Sequence, residues 1–397
     1  MEHFDYIIAG AGCSGRSLAV RMLPYLKTTN KRALLVDHTE KKANDRTWCF
    51  WEEHPDVFEA VVYRKWDRLS FASKFIDREL DIQPYQYKMI RGLDFYAHTD
   101  QLLAQHSQQI TSLQGKVENQ YTQKDKAYIV INGETFSSDY VFSSIPQIQE
   151  KKPDRYQYFL QHFEGWVIET EGNFFDPDCA TLMDFNTSQQ AGTSFVYVLP
   201  LSSNRALVEY TIFSRQELAP EDYRTALQQY IREQLKCEHY TIVEQEHGVI
   251  PMTDHPNKRQ QDRIIYLGTA GGFTKGSTGY TFRFIQKHTA AIVKQLMRSG
   301  HPNISAISAA RFDLYDATLL NLLSRERISG EEIFSRMFQK NSAVKILKFL
   351  DNESSLLEEL QIFSTLQKRE FAMAFLNRSA YLIRLNSLLK EFRYFLM

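Results

Sequence analysis

The chain has 397 residues, 43% of them hydrophobic and 24% charged, which sets a globular protein of more than one domain. Its net charge of −1 provides no basic field for nucleic acid. The cysteines Cys13, Cys49, Cys179 and Cys237 form no CxxC pair, which argues against a zinc site and fits a reducing cytosol.

The N-terminal MEHFDYIIAGAG has no basic n-region and enters a strand at once, so no signal peptide is expected. No run of about 18 uncharged apolar residues occurs, which argues against a membrane-spanning helix. DYIIAGAGCSGRSLAVRML reads as strand, glycine turn and helix. Tyr6–Ala9 is a continuous apolar run, as in a buried parallel strand. The helix from Gly15 carries Leu18, Ala19, Met22 and Leu23 on one face, and ALLVD (Ala33–Asp37) forms the next buried strand.

Gly10, Gly12 and Gly15 spell GxGxxG. The three serve a tight turn, close approach of backbone to a pyrophosphate, and close helix–strand packing. The helix N-terminus offers free N–H groups to phosphate, and Asp37 at the end of the second strand suits ribose hydroxyls. Next comes the aromatic block DRTWCFW (Asp45–Trp51), in which Trp48, Phe50 and Trp51 either line an apolar pocket or pack in a core.

AYIVIN and ETFSSDYVFSSI (within 127–145) read as a hairpin and a further strand. SFVYVLP and ALVEYTIF, joined by LSSNR, read as a second hairpin. Strand alternation places Leu207, Glu209 and Thr211 on one side and Val208, Tyr210 and Ile212 on the other. Periodicity alone favours Glu209 facing water. IIYLGTAGG (264–272) is a late strand entering glycines, with a helix at 284–297. Its loop makes Gly271, Gly272, Thr278 and Gly279 further cofactor candidates. A late second contact of this kind suits a permanently bound FAD better than exchangeable NAD.

From about Ala309 the chain reads as helical. Near its end Phe371, Phe375, Leu382, Leu385, Leu389, Phe392 and Leu396 form an apolar stripe amid excess Lys and Arg. That stripe lies on a membrane surface or packs on the protein's own core. The expected class is α/β. A discontinuous Rossmann-like FAD-binding domain (1–75, 90–150 and 248–300) is followed by a β-sheet substrate-binding domain (151–247) and a helical C-terminal region (301–397).

The segments GAGCSG, DRTWCFW, YVLPLS…ALVEYT, GVIPMTD and GTAGGFTKGSTGY together resemble the lycopene β-cyclases, and the resemblance covers most of the chain. Two blocks depart from the wider flavoprotein pattern: Gly268–Thr269 stands where many have Gly-Asp, and VFSSIPQ where many have an ATG-like turn. The resemblance implies an isomerisation in which the linear ends of lycopene close to β-ionone rings, giving γ-carotene and then β-carotene. It implies reduced FAD, NADPH or NADH as electron source, and a cytoplasmic enzyme in peripheral contact with a membrane. It also makes Glu209, in VEYT, the acid/base candidate, because burial raises a carboxyl pKa. A monooxygenase or reductase of the same fold, or a non-catalytic carotenoid binder, stays open from the residues alone. The first would consume NAD(P)H in step with product, and the second would leave lycopene unchanged.

Overall fold

The computed structural model describes residues 1–146, 156–303 and 307–378. Three sheets and a set of helices make up this part of the chain. The first sheet is built on five parallel strands in the order Ile264–Tyr266, Glu134–Ser143, His3–Ala9, Ala33–Asp37 and Ile110–Gln114. Its central strand is apolar without interruption because both faces are covered. Tyr6 and Ile8 join one core with the Cys13–Thr29 helix, while Phe4, Ile7 and Ala9 join another beneath the Lys126–Ile131 strand. The late strand–helix unit returns here as expected, with Phe282–Ser299 packed on the first helix.

The second sheet runs Thr241–Thr253, Tyr158–Glu169, Arg205–Ser214, Thr193–Ser202, Cys179–Asp184, Arg68–Ser73 and Ile76–Asp81. Arg68–Ser73 lies inside the segment 1–75 assigned above to the nucleotide domain. It pairs in parallel with Cys179–Asp184 and so is part of the second sheet. Likewise Thr241–Thr253 is one strand across the boundary set at 248. A third, small sheet joins Thr47–Glu52, Gln86–Arg91 and Arg64–Trp66.

Both faces of the second sheet are buried along its middle strands. Val196, Val208, Tyr210 and Ile212 lie under the Pro220–Glu233 helix. Phe195, Tyr197, Leu199, Leu207 and Phe213 join the largest core, with Trp51, Tyr87 and the helices after Arg311. Glu209 alternates with Val208 and Tyr210, so its side chain points to this inner side, where it is half-buried on a cavity wall.

A buried ionic cluster ties the small sheet to the late helix. Lys88 Nζ donates to Glu52 Oε1 at 2.9 Å and to Glu59 Oε2 at 2.6 Å, and Arg283 Nη1 donates to Glu52 Oε2 at 3.1 Å. Among the described residues no helix is long and apolar enough to cross a membrane. Phe371 and Phe375 line an apolar cavity between helices, packed on the protein itself. The rest of the C-terminal stripe, from Leu382 to Leu396, lies outside the described residues.

Candidate active site

A cavity of about 820 Å³ runs from the glycine turn to the inner face of the second sheet. At one end it is lined by Gly10, Gly12 and Asp37, with Lys41, Arg46 and Lys116 supplying positive charge. Gly12 caps the first helix without any side-chain cap, and the first turn carries no acid, so its N–H groups face the cavity free for an anion. Each glycine has a distinct task. A Cβ on Gly10 (φ +97°) would sit 2.1 Å from Ser144 Oγ, and one on Gly15 would sit 1.9 Å from Gly10 O. One on Gly12 would meet nothing within 4 Å. Gly15 therefore lets the helix pack on the strand, while Gly12 leaves space for a ligand.

Asp37 accepts from Ala11 N at 2.7 Å and Thr39 N at 3.0 Å. Burial pushes its carboxyl up, but these bonds and Lys41 outweigh that and leave its pKa below the ordinary value. It stays an anion at the mouth of the nucleotide end. Ser144, Ile145 and Pro146, in the segment that departs from the flavoprotein pattern, line the same end. This is an extended cleft with a phosphate cradle, and its residues fit a dinucleotide.

The late glycine loop divides. Gly279 lines the cavity, with φ +70° and Gln161 Oε1 2.2 Å from where a Cβ would be. Gly268 and Thr269 also line it. Gly271 and Gly272 are not among the residues that line it. They shape a short 3-10 turn in which a Cβ on Gly271 would lie 2.3 Å from Tyr266 O, and Gly272 (φ +74°) closes the turn. Thr278 is buried behind the loop and faces the cavity between the helices.

The aromatic block divides as well. Trp48 lines the cavity, with its ring against Phe95, Tyr96 and Phe282. Phe50 stacks on Phe282 at 4.5 Å, in the core behind it. Trp51 points to the other side of its strand, edge-on to Tyr280 at 5.0 Å, and is buried in the main core. Phe50 and Trp51 thus support the wall without forming it. Phe50→Leu is expected to lower stability by about 1–2 kcal/mol in chemical denaturation and to leave turnover per folded molecule unchanged. A selective loss of turnover would return Phe50 to the pocket.

At its inner end the cavity is enclosed by Cys49, Tyr87, Gln161, Phe163, Tyr197, Leu199, Leu207, Glu209 and Tyr280. Glu209 accepts from Thr211 Oγ1 at 2.9 Å. Burial, reinforced by the charge of Glu246, holds its carboxyl well above the ordinary glutamate pKa. Burial likewise keeps the Cys49 thiol and the Tyr87 and Tyr197 phenols neutral. The inner end therefore sets a carboxyl with a raised pKa among aromatic side chains, in one cavity with the glycine turn.

The lycopene cyclase protein family model matches residues 5–378. The chain belongs to the lycopene cyclase family. It is 24% identical over 295 residues to a lycopene β-cyclase of Pantoea ananas, covering 70% of this chain and 71% of that one. Among solved structures it is similar to a geranylgeranyl bacteriochlorophyll reductase-like protein of Thermoplasma acidophilum, with a TM-score of 0.64 and 12% identity over 92% of this chain and 96% of that one. It is also similar to a variant of Klebsiella pneumoniae HpxO complexed with FAD, with a TM-score of 0.57 and 13% identity over 94% and 99%. These likenesses show a flavoprotein-type fold. The family's match includes ALVEYT, which carries Glu209, and DRTWCFW, of which Trp48 and Cys49 line the cavity.

Glu246 and Gly165 had no place in the sequence reading. Glu246 sits in EQEH, whose alternating polar residues resemble an ordinary exposed strand. Only the strand register reveals its position. Gly165 pairs with Glu209 on one side and Glu246 on the other.

Proposed function

We propose that the protein is a lycopene β-cyclase that uses FAD in its reduced form and closes ψ-end groups to β-ionone rings without net redox change. NADPH or NADH is the electron source that keeps the flavin reduced. The observation that carries this reading is Glu209: a carboxyl with its pKa raised by burial, on the aromatic-lined wall of a cavity continuous with a dinucleotide cleft. Gly10, Gly12 and the free N-terminus of the Cys13–Thr29 helix would hold the pyrophosphate, and Asp37 the ribose. Reduced FAD, when bound, supplies negative charge that stabilises a cation nearby.

Glu209 gives its proton to the terminal double bond of the end group. A tertiary cation results, the next double bond closes the ring, and the ring cation loses a proton to the carboxylate. One C–H bond forms, one C–C bond forms and one C–H bond breaks, so substrate and product are isomers. Tyr197, Tyr280, Phe163 and Trp48 line the cavity, and a desolvated ring face turned to a nearby cation stabilises it by about 0.5–2 kcal/mol. The same rings exclude water that would trap the cation as an alcohol. Because lycopene resides in lipid, the enzyme meets it through peripheral contact with a membrane.

Expression in cells that accumulate lycopene tests the reading. The expected result is β-carotene, with γ-carotene as the one-ended intermediate and no NAD(P)H consumed in step with product. Persistent lycopene beside folded, flavin-bound protein would overturn it.

A further inference from the structure

A second cavity, of about 230 Å³, lies on the other side of the wall that contains Thr47 and Leu207, which line both spaces. Glu246 and Gly165 line this second cavity, together with Arg91, Glu244, Gln245 and Tyr63. Glu244, Gln245 and Tyr63 are exposed, so this space opens to water. The reaction chamber has Glu209 on its wall, and the outer cavity has Glu246 on its own.

The two carboxyls belong to strands separated by the Tyr158–Glu169 strand. At the row where they lie, that middle strand carries Gly165. A Cβ there would press on Leu207 Cδ1 at 3.0 Å and on Glu246 Cγ at 3.1 Å. The missing side chain is what lets the glutamates approach over the sheet. Thr47 Oγ1 donates to Glu246 Oε2 at 2.7 Å, which fixes one oxygen as an acceptor. Glu246 Oε1 is fully buried and receives no donor from an ordinary N–H or O–H group among the described residues. The group within its reach is the Glu209 carboxyl. Two carboxylates bond only when a proton lies between them.

We infer that Glu246 is a positioning residue for the catalytic proton: the two glutamates hold one proton over Gly165, with Glu209 presenting it to the chamber and Glu246 exchanging it with the outer cavity. This rests on Glu209 being the acid of the proposed cyclisation. The environment assigns the proton between them. Glu209 has apolar and aromatic neighbours and one hydroxyl donor. Burial raises the Glu246 pKa as well, but Thr47, Glu209 and the positive Arg46 oppose that rise, whereas only Thr211 opposes it at Glu209. When the pair holds a single proton, the charge left on Glu246 favours that proton on Glu209. After ring closure the proton returns to Glu209, and the pair is restored without a net proton from solvent. Exchange through Glu246 resets a pair that has lost its proton between turnovers.

Other charged or titratable groups face the pair from every neighbouring element. They are Arg46, Cys49, Tyr87 and Arg91 from the small sheet and its approach, Tyr197 from the adjacent strand, Tyr280 from the glycine loop, and Glu244 two residues before Glu246. Burial keeps Cys49, Tyr87, Tyr197 and Tyr280 protonated, and Asp94 keeps Arg91 charged. Across neutral pH the alkaline limb of activity therefore reports the glutamate pair.

The test is the pH profile of β-ring formation by the flavin-loaded holoenzyme, with Glu246→Gln and Glu246→Asp beside wild type. Glu246→Gln removes the negative charge that raises the Glu209 pKa. Its alkaline limb is expected to move toward acid by about one pH unit or more, with the carboxylic-acid C=O infrared band of Glu209 disappearing over the same shifted range. Glu246→Asp keeps the charge on a shorter arm and should restore most of the wild-type limb. If Glu246→Gln binds no flavin, the Asp variant alone is read, and a smaller shift in the same direction is expected. A slower enzyme whose limb and infrared titration stay in place would overturn the shared-proton role. Full activity of Glu209→Gln would instead overturn the reading beneath it, so the two failures are distinguishable.

Discussion

Glu209→Gln is expected to fold, bind FAD and form β-rings about 10²–10⁴-fold more slowly, the range for losing a general acid or base. Glutamine keeps the length and shape of the side chain, and its carbonyl can accept the Thr211 hydroxyl that Glu209 accepts at 2.9 Å. Because burial and Glu246 raise the Glu209 pKa well above the ordinary value, its neutral form is the favoured one, and the exchange replaces that form by another neutral group. Its amide can also donate toward Glu246. Linkage gives the sign of the stability effect. A carboxyl whose folded pKa lies above its unfolded value stabilises most below that unfolded value, near 4.5. The contribution is lost as pH rises through the folded pKa. The variant lacks this pH-dependent loss, so its Tm at neutral pH should equal or exceed that of wild type and vary less with pH. Product analysis of equal amounts of flavin-loaded protein reads the rate, and calorimetry reads the stability. Near-wild-type rates would remove Glu209 from the chemistry. A fall in Tm at neutral pH would contradict the protonated state assigned to it.

What the sequence disclosed follows from how local each signal is. The glycine turn, the second strand and Asp37 lie within one βαβ unit, and chain spacing alone places them together. Glu209 could be singled out because a lone acid interrupts an apolar run, but its direction could not. Alternation names two faces and does not say which is wet, and here the Pro220–Glu233 helix covers one while the main core covers the other. In DRTWCFW, Trp48 reaches the cavity, whereas Phe50 and Trp51 are absorbed by packing with Phe282 and Tyr280. Cys49, which drew no attention beside three large rings, lines the cavity near Glu209. The glycines of TAGGFTKGSTG divide in the same way: Gly279 lines the cavity, while Gly271 and Gly272 shape a turn. Gly165, Glu246 and the strand Arg68–Ser73 depend on pairings between distant segments. Nothing within a local window encodes those pairings.

Gly12→Val is expected to yield a folded protein that has lost its flavin. The neighbouring glycines cannot make this test. An alanine at Gly10 combines a φ of +97° with a clash at Ser144, and one at Gly15 drives into the backbone of Gly10, so either loses the fold before it loses a ligand. Gly12 differs on both counts. Its φ of −79° and ψ of −165° are extended values that a β-branched residue adopts without strain. A Cβ there meets no heavy atom within 4 Å. The cost to the empty protein is that of a poorer helix cap, about 1 kcal/mol or less. The cost to the ligand is larger, because the valine methyl groups occupy the space in front of the free N–H groups of the first helical turn. Losing one or two charge-assisted bonds to a pyrophosphate, at about 1.5–3 kcal/mol each, weakens binding by about 10- to 10⁴-fold. Flavin absorbance of the purified protein, titration with added FAD and the apo-protein Tm separate the two costs. Full flavin content would move the pyrophosphate away from Gly12. A collapsed Tm would mean that the space in front of this helix is structural. With flavin lost and the fold kept, β-ring formation should vanish even though Glu209 and its chamber are intact, which ties the acid to the cofactor it is proposed to act beside.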